Sequence, residues 1–387
     1  MGVDGSGEPG WEAWPTAWVI PAEQENASGL AYVLRILRTA DVEVHRATRD
    51  FQGDGRLVSA GSYVIPMNQP YAAFAQTMLE VQVYPDLREY PGGPPRRPYD
   101  VTAHTLGLLM DVETFSVDSV EGDLMSALDG PAIERPEFAF DLPDALEGSA
   151  APRIGVYKSW QEPMEGGWTR WVFDQHGLQY DTIKDERLRR GGLGADYDVI
   201  LLQDQSATSI RDGYAEGQVP DEYTGGIGTD GATALAEFVR GGGRIVAIEE
   251  STEFVVDLLD LGVTNEVERL PSQEFFIPGS ILEVNLAEGH PVNAGMGDRT
   301  PVWYWGSSRA FGVDQPNARI VASYAEGDPL MSGWVLGGQY LAGKPAVVEI
   351  PVGEGSVILF GFQPNYRAQT VATWPLLFNA LNAKVIF

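Results

Sequence analysis

Residues 243–260, GRIVAIEESTEFVVDLLD, read as a strand, a sharp turn and a helix. The run 244–248 is apolar enough for a buried parallel strand, and Phe254, Val255, Leu258 and Leu259 then recur at helical spacing. The turn therefore falls at residues 249–252. In hydrolases built on parallel sheets, such a turn lifts a serine or cysteine above the sheet, beside backbone N–H groups that hold an oxyanion. The chain has no cysteine to place there. The occupants are Glu249, Glu250 and Ser251, and two carboxylates beside an oxyanion oppose the charge that the reaction develops. Ser251 is the nucleophile candidate at this turn, with Glu249 or Glu250 as its partner. The triad arrangement also needs a nearby base, and His45, His104, His176 and His290 are scattered. As a small polar residue at a surface turn, Ser251 is expected to tolerate alanine at a cost under about 0.5 kcal/mol.

The composition narrows the classes of function. With 387 residues there is room for two domains with sizeable cores, and 44% hydrophobic residues exclude a disordered chain. A formal charge of −29 repels phosphate backbones and anionic lipid, so neither nucleic acid nor membrane is an expected partner. No apolar run approaches the roughly 20 residues of a membrane helix. The stretch MGVDGSGEPGWEAW has neither a basic n-region nor an apolar h-region, which reads as no secretory signal. Calcium-loop spacing is missing, H-x-x-E and H-E-x-x-H are absent, and no metal or cofactor is expected in this chain.

Spacing along the chain gives the expected organisation. Residues 1–16 form a flexible terminus and 17–125 a small α/β domain, with strands at 17–21, 42–46 and 62–66. Its first helix carries Leu30, Val33, Leu34 and Leu37 on one face with Ser28 as N-cap, and a second presents Tyr71, Phe74 and Met78. Residues 84–100 hold five prolines and form an irregular loop in which Arg96 and Arg97 are solvated. Residues 126–152 have linker composition. A second domain, 153–387, alternates strands and helices as a doubly wound, mostly parallel sheet, and gains antiparallel strands over 280–362. Its first helix lays Trp168, Trp171, Val172 and Gln175 along one face, and its last carries Trp374, Leu377, Phe378 and Leu381.

Other motifs are weaker. TGGIGTDG lacks the lysine and hydroxyl of a phosphate loop and reads as a plain turn. Trp160, in the loop ahead of the Trp168 helix, is a candidate for stacking a sugar or a peptide ring. In FQPNYRAQT, residues 362–370, Gln363, Asn365 and Arg367 follow a strand, and the crevice beyond strand C-termini is where such sheets bind ligands.

Several ordered segments carry a resemblance. SWQEPMEGGWTRWVFDQHGLQYDTI, GGGRIVAIEESTEF, PGSILEVNLAEGHPVNAGM and the run PLMSGWVLGG to FGFQPNYRAQT resemble the C-terminal, non-catalytic half of bacterial M14-type zinc carboxypeptidase-like proteins. AGSYVIPMNQPYAAFAQTMLEVQVYPD and RPYDVTAHTLGLLMDV resemble the segment that joins that half to the peptidase domain. The resemblance implies a glutamine-amidotransferase-like fold with a degenerate elbow, exported to the periplasm or beyond. Its expected partner is a metallopeptidase domain that this chain lacks, and no catalytic residue carries over. Two functions follow: an accessory module that docks on a metallopeptidase domain or presents peptide or glycan to it, and a stand-alone amidotransferase-like hydrolase using Ser251. Under the first, Trp11, Trp14 and Trp18 line an apolar docking face that, uncovered, drives self-association.

Overall fold

The computed structural model of the chain describes residues 14–128, 130, 132–137, 142–148 and 151–382; Trp11 lies outside them. The described residues form two compact units, one comprising those up to 82 with 104–137, the other 83–103 with those from 142 onward. The division is thus not a single cut. The proline-rich loop groups with the second unit, and part of the expected linker is tied to the first, where the Ile133 amide donates to the Val44 carbonyl at 2.8 Å.

In the first unit, β1 (Ala17–Ile20), α1 (Ala27–Thr39), β2 (His45–Arg46), β3 (Phe51–Gly53) and β4 (Arg56–Val58) precede β5 (Tyr63–Pro66), α2 (Ala72–Leu79), α3 (Leu106–Leu109) and β6 (Phe115–Val117). The sheet order is β2-β5-β1-β6, with every pairing antiparallel. The alternation of strands and helices therefore does not produce a parallel unit here. The one long crossover, through α1, delivers β2 beside β5 instead of beside β1. The cap of α1 is Asn26, whose Oδ1 accepts from the Gly29 amide at 2.8 Å, in place of Ser28. In α2 the buried side is Ala72, Ala75 and Leu79, while Tyr71 is exposed. Trp18 belongs to the core, its Nε1 donating to Gln76 Oε1 at 2.9 Å; Trp14 is exposed.

The second unit begins with β7 (Ile154–Tyr157), α4 (Met164–Gln175), β8 (Asp181–Ile183), α5 (Asp185–Arg189), β9 (Val199–Leu202) and α6 (Ala207–Arg211). Next come α7 (Gly228–Arg240), β10 (Arg244–Ile248), α8 (Glu250–Leu259), β11 (Val263–Asn265), β12 (Ser280–Leu286) and β13 (Arg299–Tyr304). The last are β14 (Phe311–Val313), β15 (Arg319–Tyr324), β16 (Leu330–Ser332), β17 (Pro345–Val352), β18 (Gly355–Phe360) and α9 (Trp374–Ala380). Ten strands form one mixed sheet, β13-β12-β15-β17-β18-β10-β9-β7-β8, with β16 on β12. The run β8-β7-β9-β10-β18 is parallel throughout, and everything from β17 outward is antiparallel.

Both parities of the central strands are buried, which demands cover on two faces. One face packs Ile200, Ile245 and Leu359 against Leu235 and Phe238 of α7 and Phe254 of α8. The helix α4 turns Thr169, Val172 and Phe173 inward and meets α9 through Phe173 and Phe378, with ring centroids 5.8 Å apart. Trp168 and Trp171, expected on that inner face, are each 40% exposed.

Candidate functional site

At the C-terminal end of β10 the chain turns sharply into α8, and only Glu249 lies between them. Its backbone sits at φ +47°, ψ −115°, a region non-glycine residues avoid and the one in which a strand-to-helix elbow holds its nucleophile. Glu249 is fully buried, and its amide donates to the Phe360 carbonyl of β18 at 2.8 Å. Both carboxyl oxygens are held. Ser308 Oγ donates to Oε1 at 2.5 Å and Ser307 Oγ to Oε2 at 3.0 Å.

A second carboxyl group arrives from the neighbouring strand. Asp204, just past β9, accepts from the Glu250 amide at 2.9 Å and from Gln363 Nε2 at 3.1 Å. Burial, and after it the charge of Asp204, pushes the Glu249 carboxyl up to about 8, against the hydrogen bonds that Ser308, Gln363 and Ser307 make to it. Glu250 is half-buried and is likewise raised by burial and by Asp204, with Arg309 opposing.

The sequence candidates land as follows. Ser251 is not at a surface turn: it is fully buried, its Oγ accepting from the Ile248 amide at 2.9 Å and lying 2.9 and 3.2 Å from the carbonyls of Ile248 and Leu202. That hydroxyl completes the backbone hydrogen bonds of the turn, one residue pair beyond the elbow position. Gln363 joins the carboxyl pair through Asp204. Asn365 Nδ2 donates to Thr169 Oγ1 at 2.7 Å, and Thr169 Oγ1 donates to Gln203 Oε1 at 2.9 Å, linking α4 to the end of β9. Arg367 is exposed at φ +46°, its guanidinium 5.1 Å from the Tyr366 ring; no ion pair with Glu249 or Glu250 is formed. Trp160 follows β7 apart from this cluster, under the Lys184 ammonium at 3.7 Å and edge-on to Tyr223 at 4.7 Å.

The chemistry open to this elbow is limited. In a hydrolase the amide after the nucleophile faces the developing oxyanion; here the Glu250 amide already carries the Asp204 carboxylate. A fully buried glutamic acid with both oxygens hydrogen-bonded has no access to a substrate carbonyl. Asp204, Ser307 and Ser308 were missed in the sequence because they lie 45 or more residues from Glu249 and follow no local spacing. The signal that was present is the boundary itself: a strand ending at 248 and a helix starting at 250 leave one residue for the elbow.

No family model matches the chain, and no curated protein matches it. Among solved structures it is similar to cytoplasmic protein STM3548 from Salmonella typhimurium, with TM-score 0.39 and 14% identity over 59% of this chain and 97% of that one. The β-galactosidase from Bacillus circulans sp. alkalophilus gives TM-score 0.37 and 14% identity over 58% of this chain and 30% of the other. The exo-β-1,4-mannosidase Op5Man5 from Opitutaceae bacterium strain TAV5 gives 0.34 and 12% over 58% and 33%. The second unit is a mixed α/β arrangement built on one ten-stranded sheet.

Proposed function

We propose that this chain is a non-catalytic accessory module whose second unit has an amidotransferase-like fold and whose elbow serves as a structural brace. The observation that carries the reading is Glu249 at the strained elbow position, both its oxygens bonded, with Asp204 on the Glu250 amide. Against the hydrolase reading stands Ser251, whose hydroxyl is committed to backbone groups and has no exposed surface. The module's partner is a zinc metallopeptidase domain outside the cytoplasm, a reading that rests on the motif resemblance to the C-terminal half of M14-type proteins. Docking on that domain, or presenting peptide or glycan to it, is the role such a module fills.

The test combines a fluorophosphonate probe with titration of a purified M14-type peptidase domain, followed by sedimentation. No labelling and a concentration-dependent complex are expected. Labelling that disappears in Ser251→Ala would establish the hydrolase instead, and absence of any complex would remove the docking role.

A further inference from the structure

We propose that the cavity walled by Phe275, Phe276 and Trp305 binds a neutral carbohydrate, with the Trp305 indole as the stacking platform and Arg97 and Asp100 as groups for its hydroxyls. The inference concerns a different place from the elbow and deepens the accessory role, on which it rests for its context, by naming the class of ligand. The cavity holds about 510 Å³ and lies wholly within the second unit. That is the size range of small-molecule sites, which combine apolar walls with a few polar groups.

The walls on the Phe275 and Trp305 side are fixed before any ligand arrives, while Tyr99 at the mouth is fully exposed. Gly279 has φ +88°, and a side chain there would meet the Trp305 ring and Val101 at 2.9 Å, so the indole is seated directly over bare backbone. The Gly279 carbonyl accepts from the Thr102 amide at 2.9 Å and the Thr102 hydroxyl at 2.8 Å, which ties the 97–101 wall to the 275–279 wall. The Trp305 amide donates to Ser308 Oγ at 2.9 Å, and the same hydroxyl donates to Glu249. The elbow carboxyl thus holds the loop that carries the platform. Preorganised aromatic walls lose little entropy on binding.

The polar groups select the ligand class. Arg97 and Asp100 are exposed, and neither makes an ion pair among the described residues. Tyr366 is buried outside the cavity lining and lies near-parallel to the Trp305 ring, with centroids 6.0 Å apart, so it supports the indole and does not meet the ligand. A sugar ring offers an apolar C–H face to an aromatic ring and hydroxyls at its edge that donate and accept. One cation and one carboxylate beside a Trp face match that pattern. A fatty chain would leave the charged rim uncompensated. An anion would meet Asp100 and the net charge of −29.

Calorimetry and tryptophan fluorescence with cellobiose, maltose, lactose and chitobiose, and with a polyproline peptide, decide the matter on the full chain. At least one disaccharide is expected to bind in the micromolar to millimolar range. Trp305→Ala should weaken it by about tenfold, while Trp171→Ala, on the outer side of α4, leaves it unchanged. If Trp305→Ala proves misfolded by circular dichroism, Asp100→Asn, an exposed change, should still weaken binding several-fold. Failure of every disaccharide at millimolar concentration overturns the proposal, as does binding of the peptide alone or binding that neither variant alters. The serine probe reports on the elbow independently of any of these outcomes.

Discussion

A glutamate held at φ +47° costs of order 1–3 kcal/mol of backbone strain, and it persists only because the surroundings fix it. Glu249 is fixed by two serines, by Phe360 and by the sheet, yet its acidity is the more testable property. Burial weakens the acid, raising its pKa from an ordinary 4.5 to about 8, so between these limits the folded chain binds a proton that the unfolded chain has released. The stability it contributes is complete below the unfolded value and is lost as pH rises through the folded one. Urea unfolding at pH 5 and pH 8.5 should therefore show the wild type losing ground to Glu249→Gln at the higher pH; parallel pH dependence in the two proteins would refute it. The buried Ser251 carries a second expectation, opposite to that drawn from a surface turn. Removing its hydroxyl takes a hydrogen bond from the Ile248 amide and from the Leu202 carbonyl at a fully buried turn, and Ser251→Ala should cost about 1–3 kcal/mol in denaturant unfolding.

Elements are joined by groups that no single strand explains. Glu349 on β17 is 2% exposed and lies 3.0 Å from Arg244 of β10, 2.6 Å from Arg319 of β15 and 3.2 Å from His290 Nε2. Burial works to raise its carboxyl, but His290, Arg244 and Arg319 together outweigh burial and hold it below the usual range. Its contribution is present above the unfolded carboxylate range and fades as pH falls through the folded value. Glu349→Ala strands a buried guanidinium and should cost about 3–5 kcal/mol, read by thermal and chemical unfolding. The helix α4 gives a contrast between its two sides. Phe173→Ala should cost about 3–5 kcal/mol, whereas Trp168→Ser, on the exposed side, should change stability by under about 1 kcal/mol. Comparable losses in both variants would mean that the outer side is packed.

For the whole molecule, charge dominates. At −29 the folded chain repels itself, and salt within a Debye length of about 10 Å relieves that repulsion. The melting midpoint should rise between about 10 mM and 150 mM sodium chloride, and a fall in scanning calorimetry would show specific ion pairs outweighing the net charge. Among the described residues, self-association through the first unit is narrowed to Trp14, because Trp18 is buried against Gln76. Sedimentation of the wild type against Trp14→Ser measures what remains of that face.

Local spacing was enough to place the elbow, the helices α8 and α9, and the strand-rich span 280–362, though not the short strands β14 and β16 within it, because a long run has a period or apolar density with one reading. The missing cysteine by itself excluded a thiol nucleophile. What periodicity does not contain is which neighbour a strand takes or which of two apolar sides faces inward. The first unit became antiparallel through pairing partners far apart in sequence, and α4 buried Thr169, Val172 and Phe173 while leaving two tryptophans outside. The role of the elbow was decided in the same way. Only the packing of β9, β10, β18 and the 305–309 loop brings Ser307 and Ser308 onto Glu249 and Asp204 onto the Glu250 amide, and burial at that junction, more than any feature of residues 249–252 themselves, raises the Glu249 carboxyl's hold on a proton.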